Sequence, residues 1–342
     1  MVEKLLENYP AFLEKKLDEL WLTEKLEAAL PVLRCFDARK VILTGNSEGM
    51  AAVTSVLGLF QESDIFWGPL LVSQAKYNYG GCRHEVGIGE PNTPLVIVTD
   101  LDGNDEDAAD SIRMTSEVGG VSLLVTVNEH AKYASDADYV LSLGEVSNIA
   151  EAYSAAVIAL TAVAYRIGRA RGQYTEADCR RAREMIQDYA LSVDSVYGAI
   201  DGKVQLFARE TYDKETFDCI ADGSAKAVME FSSFLLTRYG GCLCTRNDSD
   251  EWCGQMEAPV IAVACKVSPS YDCFREKIMS AQSQKRPWMI ITDGEEKDFN
   301  EGVKLCQMPA LPKGYDFLCA LFFHLPVVTA CEYIAEFRRG RQ

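Results

Sequence analysis

An apolar segment of the chain ends in a loop that carries several carboxylates. The segment, residues 94–110, reads PLVIVTDLDGNDEDAAD, and its loop contains Asp100, Asp102, Asp105 and Asp107. Carboxylates at this density can hold a divalent cation, attack an electrophile, or accept hydrogen bonds from a polar ligand. Each chemistry implies a different class of protein, so the rest of the chain has to decide among them.

A calcium loop of the EF-hand type is the first hypothesis. Such a loop needs oxygen ligands at its first, third and fifth positions, then a glycine, and a glutamate at its end. Asp100, Asp102 and Asn104 fit the three oxygen positions, but Asp105 occupies the glycine position and Ser111 the glutamate position. The loop also follows a predicted strand rather than a helix. The sequence therefore disfavours a calcium loop.

A magnesium-dependent phosphatase is the second hypothesis for the same loop. The stretch VIVTDLDGN resembles the first motif of haloacid-dehalogenase-type phosphatases, an apolar strand that ends in D-x-D-G. The resemblance implies that Asp100 attacks phosphorus and that Asp102 is the acid or base, with magnesium neutralising both. A later Gly-Asp pair that would hold the metal is not convincing, because ITDGEEKD has the order reversed. This activity stays an alternative.

The composition excludes some partners. Among 342 residues, 34 Lys and Arg stand against 51 Asp and Glu, which gives a formal net charge of −17. Nucleic acids and anionic membranes are bound chiefly through basic side chains. We therefore expect neither nucleic acid nor membrane as a partner. Hydrophobic residues make up 48% of the chain, which is enough for a full core.

The cysteines and the apolar stretches predict a reduced, cytoplasmic protein. There are twelve cysteines but no pair of C-x-x-C units, so zinc is not indicated. We predict no cofactor and assign no metal ligand, and whether the aspartate loop binds a cation stays open. The first residues, MVEKLLENYPAFLEKKLDEL, are charged and amphipathic and do not resemble a secretory signal. The longest uninterrupted apolar stretches are too short to cross a bilayer.

The pattern of elements predicts an α/β fold in two similar halves. KVILTGNSEGMAAVTSVLGLF and PLVIVTDLDGNDEDAADSIRMTSEVG each read as strand, polar turn and helix, and TFDCIADGSAKAVMEFSSFLLTRYG repeats that order later in the chain. Strands that alternate with helices indicate a parallel sheet covered on both faces. We predict two tandem domains, each a mostly parallel five-stranded sheet flanked by helices. The predicted bounds are N-terminal helices 1–34, a first domain 35–172, a helical linker 173–205 and a second domain 206–342.

Over residues 35–342 the order and spacing of these elements resemble the tandem sugar isomerase (SIS) domain. The chain is similar to the isomerase half of glucosamine-6-phosphate synthase and to fructosamine deglycases of the fructoselysine type. The most specific stretch runs from Thr99 to Glu145, and FHLPVVTACEYIAEFRRGR resembles the closing helix of that family. The resemblance implies a small-molecule ligand, a phosphosugar or amino-sugar derivative. The apolar faces of the N-terminal helices and of the closing helix exceed what one core needs, so we predict a homodimer or larger oligomer, with the ligand bound between domains near a subunit interface.

The resemblance implies that two loops bind the ligand. The first loop is Gly45, Asn46 and Ser47, of which Asn46 and Ser47 are equally well explained as the cap of the following helix. The second loop comprises Asp100, Asp102, Gly103, Asn104 and Asp105. Here carboxylates replace the hydroxyls of the family's S-x-S-G-x-T pattern, and two unit charges about 4 Å apart repel by about 4 kcal/mol at an effective dielectric near 20. Either a cation lies between the carboxylates, or the ligand there is neutral or cationic, or the site is inactive.

The catalytic part of the resemblance falls on one helix. Glu230 in SAKAVMEFSS matches the glutamate that moves a proton between C1 and C2, and burial would raise its pKa toward neutrality. The basic residue of the family is missing, since Ala227 and Met229 occupy nearby positions. The family's ring-opening histidine would fall in residues 250–255, which contain none, and His324 is expected to be a core residue.

These observations predict a carbohydrate-derivative-binding protein of the sugar isomerase or deglycase class. The predicted reaction is aldose–ketose isomerisation or fructosamine deglycation, with Glu230 as the candidate base. A catalytically silent protein that binds a sugar derivative is the alternative from another class. The magnesium phosphatase that uses Asp100 and Asp102 is the third.

Overall fold

The computed structural model describes residues 8–63, 69–79, 93–248, 252, 257–281 and 286–340. Within them the chain forms two five-stranded parallel sheets flanked by helices. The predicted fold class is therefore confirmed. The chain divides into two compact units. The N-terminal unit is Ala11–Glu184, and the C-terminal unit is Met185–Gln342 together with Met1–Pro10.

Sheet A forms the centre of the N-terminal unit, with strand order β2-β1-β3-β4-β5. Its strands are β1 (Lys40–Gly45), β2 (Pro69–Leu71), β3 (Pro94–Asp100), β4 (Val121–Thr126) and β5 (Tyr139–Ser142). The helices are α1 (Tyr9–Leu20), α2 (Glu24–Ala29), α3 (Val32–Asp37), α4 (Ser47–Glu62), α5 (Gln74–Tyr79), α6 (Glu106–Glu117) and α7 (Ile149–Ala170). Every residue of β3 is buried, as expected for a central strand covered on both faces.

Sheet B forms the centre of the C-terminal unit, with strand order β10-β9-β8-β6-β7. A long helix, α8 (Glu176–Thr211), precedes it along the chain. The strands are β6 (Thr216–Ala221), β7 (Leu243–Asn247), β8 (Val260–Ala264), β9 (Trp288–Thr292) and β10 (Lys304–Gln307). The helices are α9 (Lys226–Arg238), α10 (Tyr271–Ala281), α11 (Phe317–Phe322) and α12 (Leu325–Arg339).

The two sheets have the same connectivity. Sheet B read from β7 is β7-β6-β8-β9-β10, and sheet A read from β2 is β2-β1-β3-β4-β5. In each unit the first strand lies beside the second and then beside the third, after which the order continues outward. β8 therefore corresponds to β3, and the loop that follows β8 corresponds to the acidic loop that follows β3.

The last helical segment is interrupted, although the sequence predicts one long helix. α11 ends at Phe322 and α12 begins at Leu325. Pro326 lies in the first turn of α12, and a proline has no backbone N–H with which to continue the preceding helix. His324 at this break is fully buried, and its Nδ1 lies 2.9 Å from the carbonyl oxygen of Ala320. The prediction that His324 is a core residue is confirmed.

Two helical segments extend beyond the uninterrupted apolar stretches that the sequence shows. Ile149–Ala170 and Phe317–Arg339 are long and apolar enough, by length and composition, to cross a membrane. In both, 83% of the apolar window is buried inside the protein. Burial of that extent is what the core helices of an α/β unit show, because they pack against a sheet on one side and against further helices on the other.

Candidate functional site

The loop between β1 and α4 lies at the carboxyl edge of sheet A. Gly45 ends β1 and is in register with Thr99 of β3. Asn46 is the N-cap of α4, and its Oδ1 accepts a hydrogen bond of 2.9 Å from the backbone N–H of Gly49. Ser47 is the first residue of the helix and is exposed. The Asn46 side-chain oxygen is therefore engaged as a helix cap, and Ser47 is left to face solvent or a ligand.

Two glycines let this loop lie against β3. A Cβ atom at Gly49 would lie 2.3 Å from the carbonyl oxygen of Thr99, and one at Gly45 would lie 2.9 Å from the same oxygen. Both distances are shorter than real Cβ contacts, so any side chain would force the loop and the strand apart. Sequence reasoning identified Gly45 and missed Gly49. The short spacing of the two glycines in GNSEG was the signal.

The acidic loop after β3 is built around the Asp100 carboxylate. Asp100 is fully buried. Its Oδ1 accepts backbone N–H bonds from Asp102 at 3.0 Å and Gly103 at 2.9 Å, and its Oδ2 accepts one from Asp105 at 3.4 Å. The hydroxyl of Tyr133 also donates to Oδ2. The backbone N–H groups of this loop thus point at an anion that belongs to the chain itself.

Gly103 makes this wrapping possible. Its φ is +74°, a conformation that side chains rarely adopt, and a Cβ there would lie 2.5 Å from the Cβ of Asn128. The Asn128 side chain donates a hydrogen bond of 3.0 Å to the carbonyl oxygen of Gly103. The loop is therefore closed from both sides, by Asp100 within it and by Asn128 beyond β4.

The other polar side chains of the loop do not turn into it as Asp100 does. Asp102 and Asn104 are exposed. Asp105 is the N-cap of α6, and its Oδ1 accepts a bond of 3.0 Å from the N–H of Asp107. Its Oδ2 is buried, and the Gln74 side chain lies beside the carboxylate. Of the predicted loop residues, Asp102 and Asn104 are therefore the side chains that a ligand can reach.

Glu48 joins this acidic group, and sequence reasoning did not identify it. Its side chain is 7% exposed, and its Oε1 accepts a bond of 3.2 Å from the Asn46 amide. Burial raises the pKa of Glu48, and the nearby carboxylates of Asp102, Asp100 and Asp105 raise it further. Burial also raises the pKa of Asp105. No described lysine or arginine forms an ion pair with either side chain, so the edge of the sheet is strongly negative.

The carboxylates are not arranged as a metal site. Among the described residues there is no group of three or more His, Cys, Asp or Glu side chains that could hold a metal ion. Both oxygens of Asp100 are occupied by hydrogen bonds, which leaves neither free to attack phosphorus. The geometry therefore adds nothing in favour of the magnesium phosphatase or of a cation between the three aspartates.

Glu230, the candidate base, lies in the C-terminal unit. It is in the second turn of α9 and is partly buried. Lys226 at the start of the same helix is paired with Asp248 at 2.8 Å. The segment in which the sequence places the ring-opening function, residues 250–255, lies outside the described residues except for Trp252. The catalytic role of Glu230 stays a prediction.

Comparison with solved structures confirms the fold. The chain aligns with the C-terminal domain of glucosamine-fructose-6-phosphate aminotransferase from Francisella tularensis at a TM-score of 0.81 and 13% identity, over 99% of this chain and 96% of that one. It aligns with tagatose-6-phosphate ketose/aldose isomerase from Escherichia coli at a TM-score of 0.69 and 12% identity, over 99% and 92%. No protein-family model and no curated protein sequence matches the chain. The molecule thus has the tandem SIS fold of these sugar-phosphate enzymes, at an identity that shows the fold alone.

Proposed function

We propose that the chain binds a carbohydrate derivative at the carboxyl edge of sheet A and that the preferred ligand carries an amine rather than a bare phosphate. The proteins that share its fold include enzymes named for fructose 6-phosphate and tagatose 6-phosphate chemistry. Parallel α/β sheets bind ligands outside the carboxyl ends of their strands. The loops after β1 and β3 lie at that edge.

The observation that carries this proposal is the engagement of the loop amides by Asp100. Free N–H groups in a loop at a helix N-terminus would bind a phosphate, but here three of them donate to the chain's own carboxylate. A phosphate dianion would also meet the charges of Asp102 and Asp105, each costing about 4 kcal/mol at 4 Å. A phosphate is therefore disfavoured in this loop.

The same groups favour a cationic or hydroxyl-rich ligand. Ionised carboxylates accept hydrogen bonds and donate none, so the exposed Asp102 suits ammonium and hydroxyl donors. Glu48 lies beside Asp102 with a raised pKa, so it is suited to hold a proton or to share one with a ligand hydroxyl. An amino sugar presents both kinds of donor on one ring.

Calorimetric titration with glucosamine and glucose tests this proposal. At mildly acidic pH the glucosamine amine is protonated, and we expect it to bind more tightly than glucose. Asp102→Asn and Glu48→Gln should each weaken glucosamine binding at least about tenfold, equivalent to about 1.4 kcal/mol. Glu106→Gln is the matched control, because Glu106 is exposed in the first turn of α6 and carries the same charge. Equal affinity for glucose and glucosamine, or an equal effect of all three substitutions, would refute the proposal.

Enzymatic activity is the finer part of the proposal, with Glu230 as the base. A carboxylate base contributes about 10²–10⁴-fold to a proton transfer. Turnover of glucosamine 6-phosphate, fructose 6-phosphate and fructoselysine should therefore fall by at least about 100-fold in Glu230→Gln and stay unchanged in Glu276→Gln, an exposed glutamate of α10. Ligand binding without turnover would instead identify the silent binding protein, which the altered second loop also favours.

Assembly and location belong to the same proposal. We propose a cytoplasmic homodimer or larger oligomer. Three apolar side chains on α3 are exposed in the N-terminal unit: Val32 at 50%, Leu33 at 71% and Phe36 at 56%. Contiguous exposed apolar groups mark association surfaces. Light scattering should show an oligomer that Leu33→Glu weakens, and a strict monomer at micromolar concentration would contradict the proposal.

A further inference from the structure

The C-terminal unit has a cavity of its own. Its volume is about 610 Å³, within the roughly 300–1,000 Å³ typical of small-molecule sites. It lies where β8, β9 and β10 end, with the middle of α8 as the opposite wall. The carboxyl edge of a parallel sheet is the usual place for a ligand, and this cavity is formed without any residue of sheet A.

The loops that follow β3 and β8, which take the same place in their sheets, carry opposite charges. β3 is followed by Asp100 and Asp102, whereas β8, which takes the same place in sheet B, is followed by Cys265 and Lys266. The Lys266 side chain lines the cavity, and Lys203 lines it from α8. No described carboxylate forms an ion pair with Lys203. In a chain with a net charge of −17, a lysine on a cavity wall that has no ion pair among the described residues is a group left for an anion.

The two carboxylates of the cavity are already engaged. Asp293 accepts the backbone N–H of Lys266 at 2.6 Å and that of Leu311 at 3.1 Å, one on each oxygen. Glu295 is paired with Lys297 at 2.6 Å and more distantly with Lys266 at 3.7 Å. Asp293 keeps its negative charge, which the two backbone N–H groups stabilise, so Lys203 and Lys266 are the groups of the cavity wall that attract an anion.

The other lining groups define what the anion is attached to. Ser192 and Ser195 provide hydroxyls from α8, and Gln307 provides an amide from the end of β10. Ile200 and Met308 form an apolar part of the wall. Hydroxyls and amides bind the hydroxyl groups of a polyol, while two lysines bind its charged end as point charges.

We propose that this cavity is a second ligand site, specific for an oxyanion carried by a small polyol, such as a sugar phosphate or a sugar acid. It is separate from the amino-sugar site proposed at sheet A and is expected to bind its ligand whether or not that site is active. The N-terminal unit would then recognise an amine and the C-terminal unit an oxyanion.

Calorimetric titration of the whole chain tests the second site with four probes: inorganic phosphate, fructose 6-phosphate, gluconate and glucose. We expect fructose 6-phosphate or gluconate to bind, more tightly than inorganic phosphate, and their comparison identifies the ester or the carboxylate as the preferred group. Binding should weaken with added salt, because the attraction is between charges. Lys203→Ala and Lys266→Ala should each weaken it at least about tenfold, and Lys203→Arg should retain it.

Lys313→Ala is the matched control, since Lys313 is an exposed lysine of the same unit that does not line the cavity. Glu48→Gln, in the other unit, should leave this binding unchanged, which separates a failure here from a failure of the amino-sugar site. The proposal is overturned if no anion binds, if glucose binds as tightly as the anions, or if Lys203→Ala behaves like Lys313→Ala.

Discussion

Replacing Asp100 by asparagine should destabilise the loop after β3, whereas the same replacement at Asp102 should not. Both substitutions remove one negative charge and keep the shape of the side chain. Asp100 is fully buried and accepts three backbone N–H bonds and one tyrosine O–H bond. Asp102 is exposed. The pair therefore separates the hydrogen bonds of the carboxylate from its charge.

The expected magnitude follows from which bonds an amide can keep. In Asp100→Asn the remaining side-chain oxygen can still accept from the N–H groups of Asp102 and Gly103, but the new NH₂ group cannot accept from Asp105 or from Tyr133. Two bonds to a charged acceptor are lost, at about 1.5–3 kcal/mol each. Relief of repulsion from Glu48 and Asp105 offsets part of this loss. We expect Asp100→Asn to lower the free energy of unfolding by about 2–4 kcal/mol, and Asp102→Asn to change it by less than about 0.5 kcal/mol.

Two measurements check this expectation. Urea unfolding followed by circular dichroism gives the free-energy difference, provided that two probes report coincident transitions. Hydrogen exchange gives the location, because the amides of Asp102, Gly103 and Asp105 should lose protection in Asp100→Asn while those of other loops keep theirs. Equal stability of the two variants, with unchanged exchange at these amides, would show that the loop does not depend on the Asp100 carboxylate.

Three further outcomes follow from buried groups. Burial lowers the pKa of His324 from 6.5 to about 4. The folded protein therefore has its full stability above pH 6.5 and loses up to about 3 kcal/mol as the pH falls toward 4, because the unfolded chain binds the proton first. His324→Phe should flatten the dependence of the free energy of unfolding on pH over that range, and an unchanged dependence would contradict this. Arg286 and Asp218 form an ion pair of 3.4 Å with both side chains almost inaccessible. Asp218→Ala should lower the free energy of unfolding, measured with urea, by about 3–5 kcal/mol, because it leaves a buried charge unpaired. Adding Arg286→Met to the same chain should restore part of that loss. Among the ten described cysteines only Cys273 is exposed. Mass spectrometry after brief iodoacetamide treatment should therefore find Cys273 modified among these ten. Burial raises the pKa of Cys306 to about 12, so rapid modification of Cys306 would refute the described packing.

The sequence predicts the central strands well and the edge strands poorly. β3 and β8 are continuous apolar runs because both faces of a central parallel strand are covered. β2 has only three residues, and β7 reads LCTRN with its leucine and its arginine both exposed. An edge strand has one free side and little buried surface, so its residues carry no apolar pattern that marks it.

The candidate site shows the same limit at the level of single residues. The acidic loop and its place after β3 can be predicted from the sequence, because an apolar strand, a polar turn and a helix follow one another in the residue pattern. Which carboxylate turns inward does not follow, since Asp100 and Asp102 are identical in type and two positions apart. The end of the strand decides it: Asp100 still belongs to β3 and is buried, whereas Asp102 has left the sheet. Glu48 was missed because its burial depends on the close approach of α4 to β3.

The Asp100 carboxylate competes with dissolved anions for the backbone N–H groups of the loop after β3, and it is covalently attached to that loop. It lies only two residues from the first amide that it occupies, so its effective concentration at those amides is far higher than that of any dissolved anion. Inorganic phosphate or sulfate that would block an open loop of N–H groups must first displace a group that cannot diffuse away. The ligand binding proposed at this edge of the sheet would thereby not depend on the phosphate concentration of the surroundings.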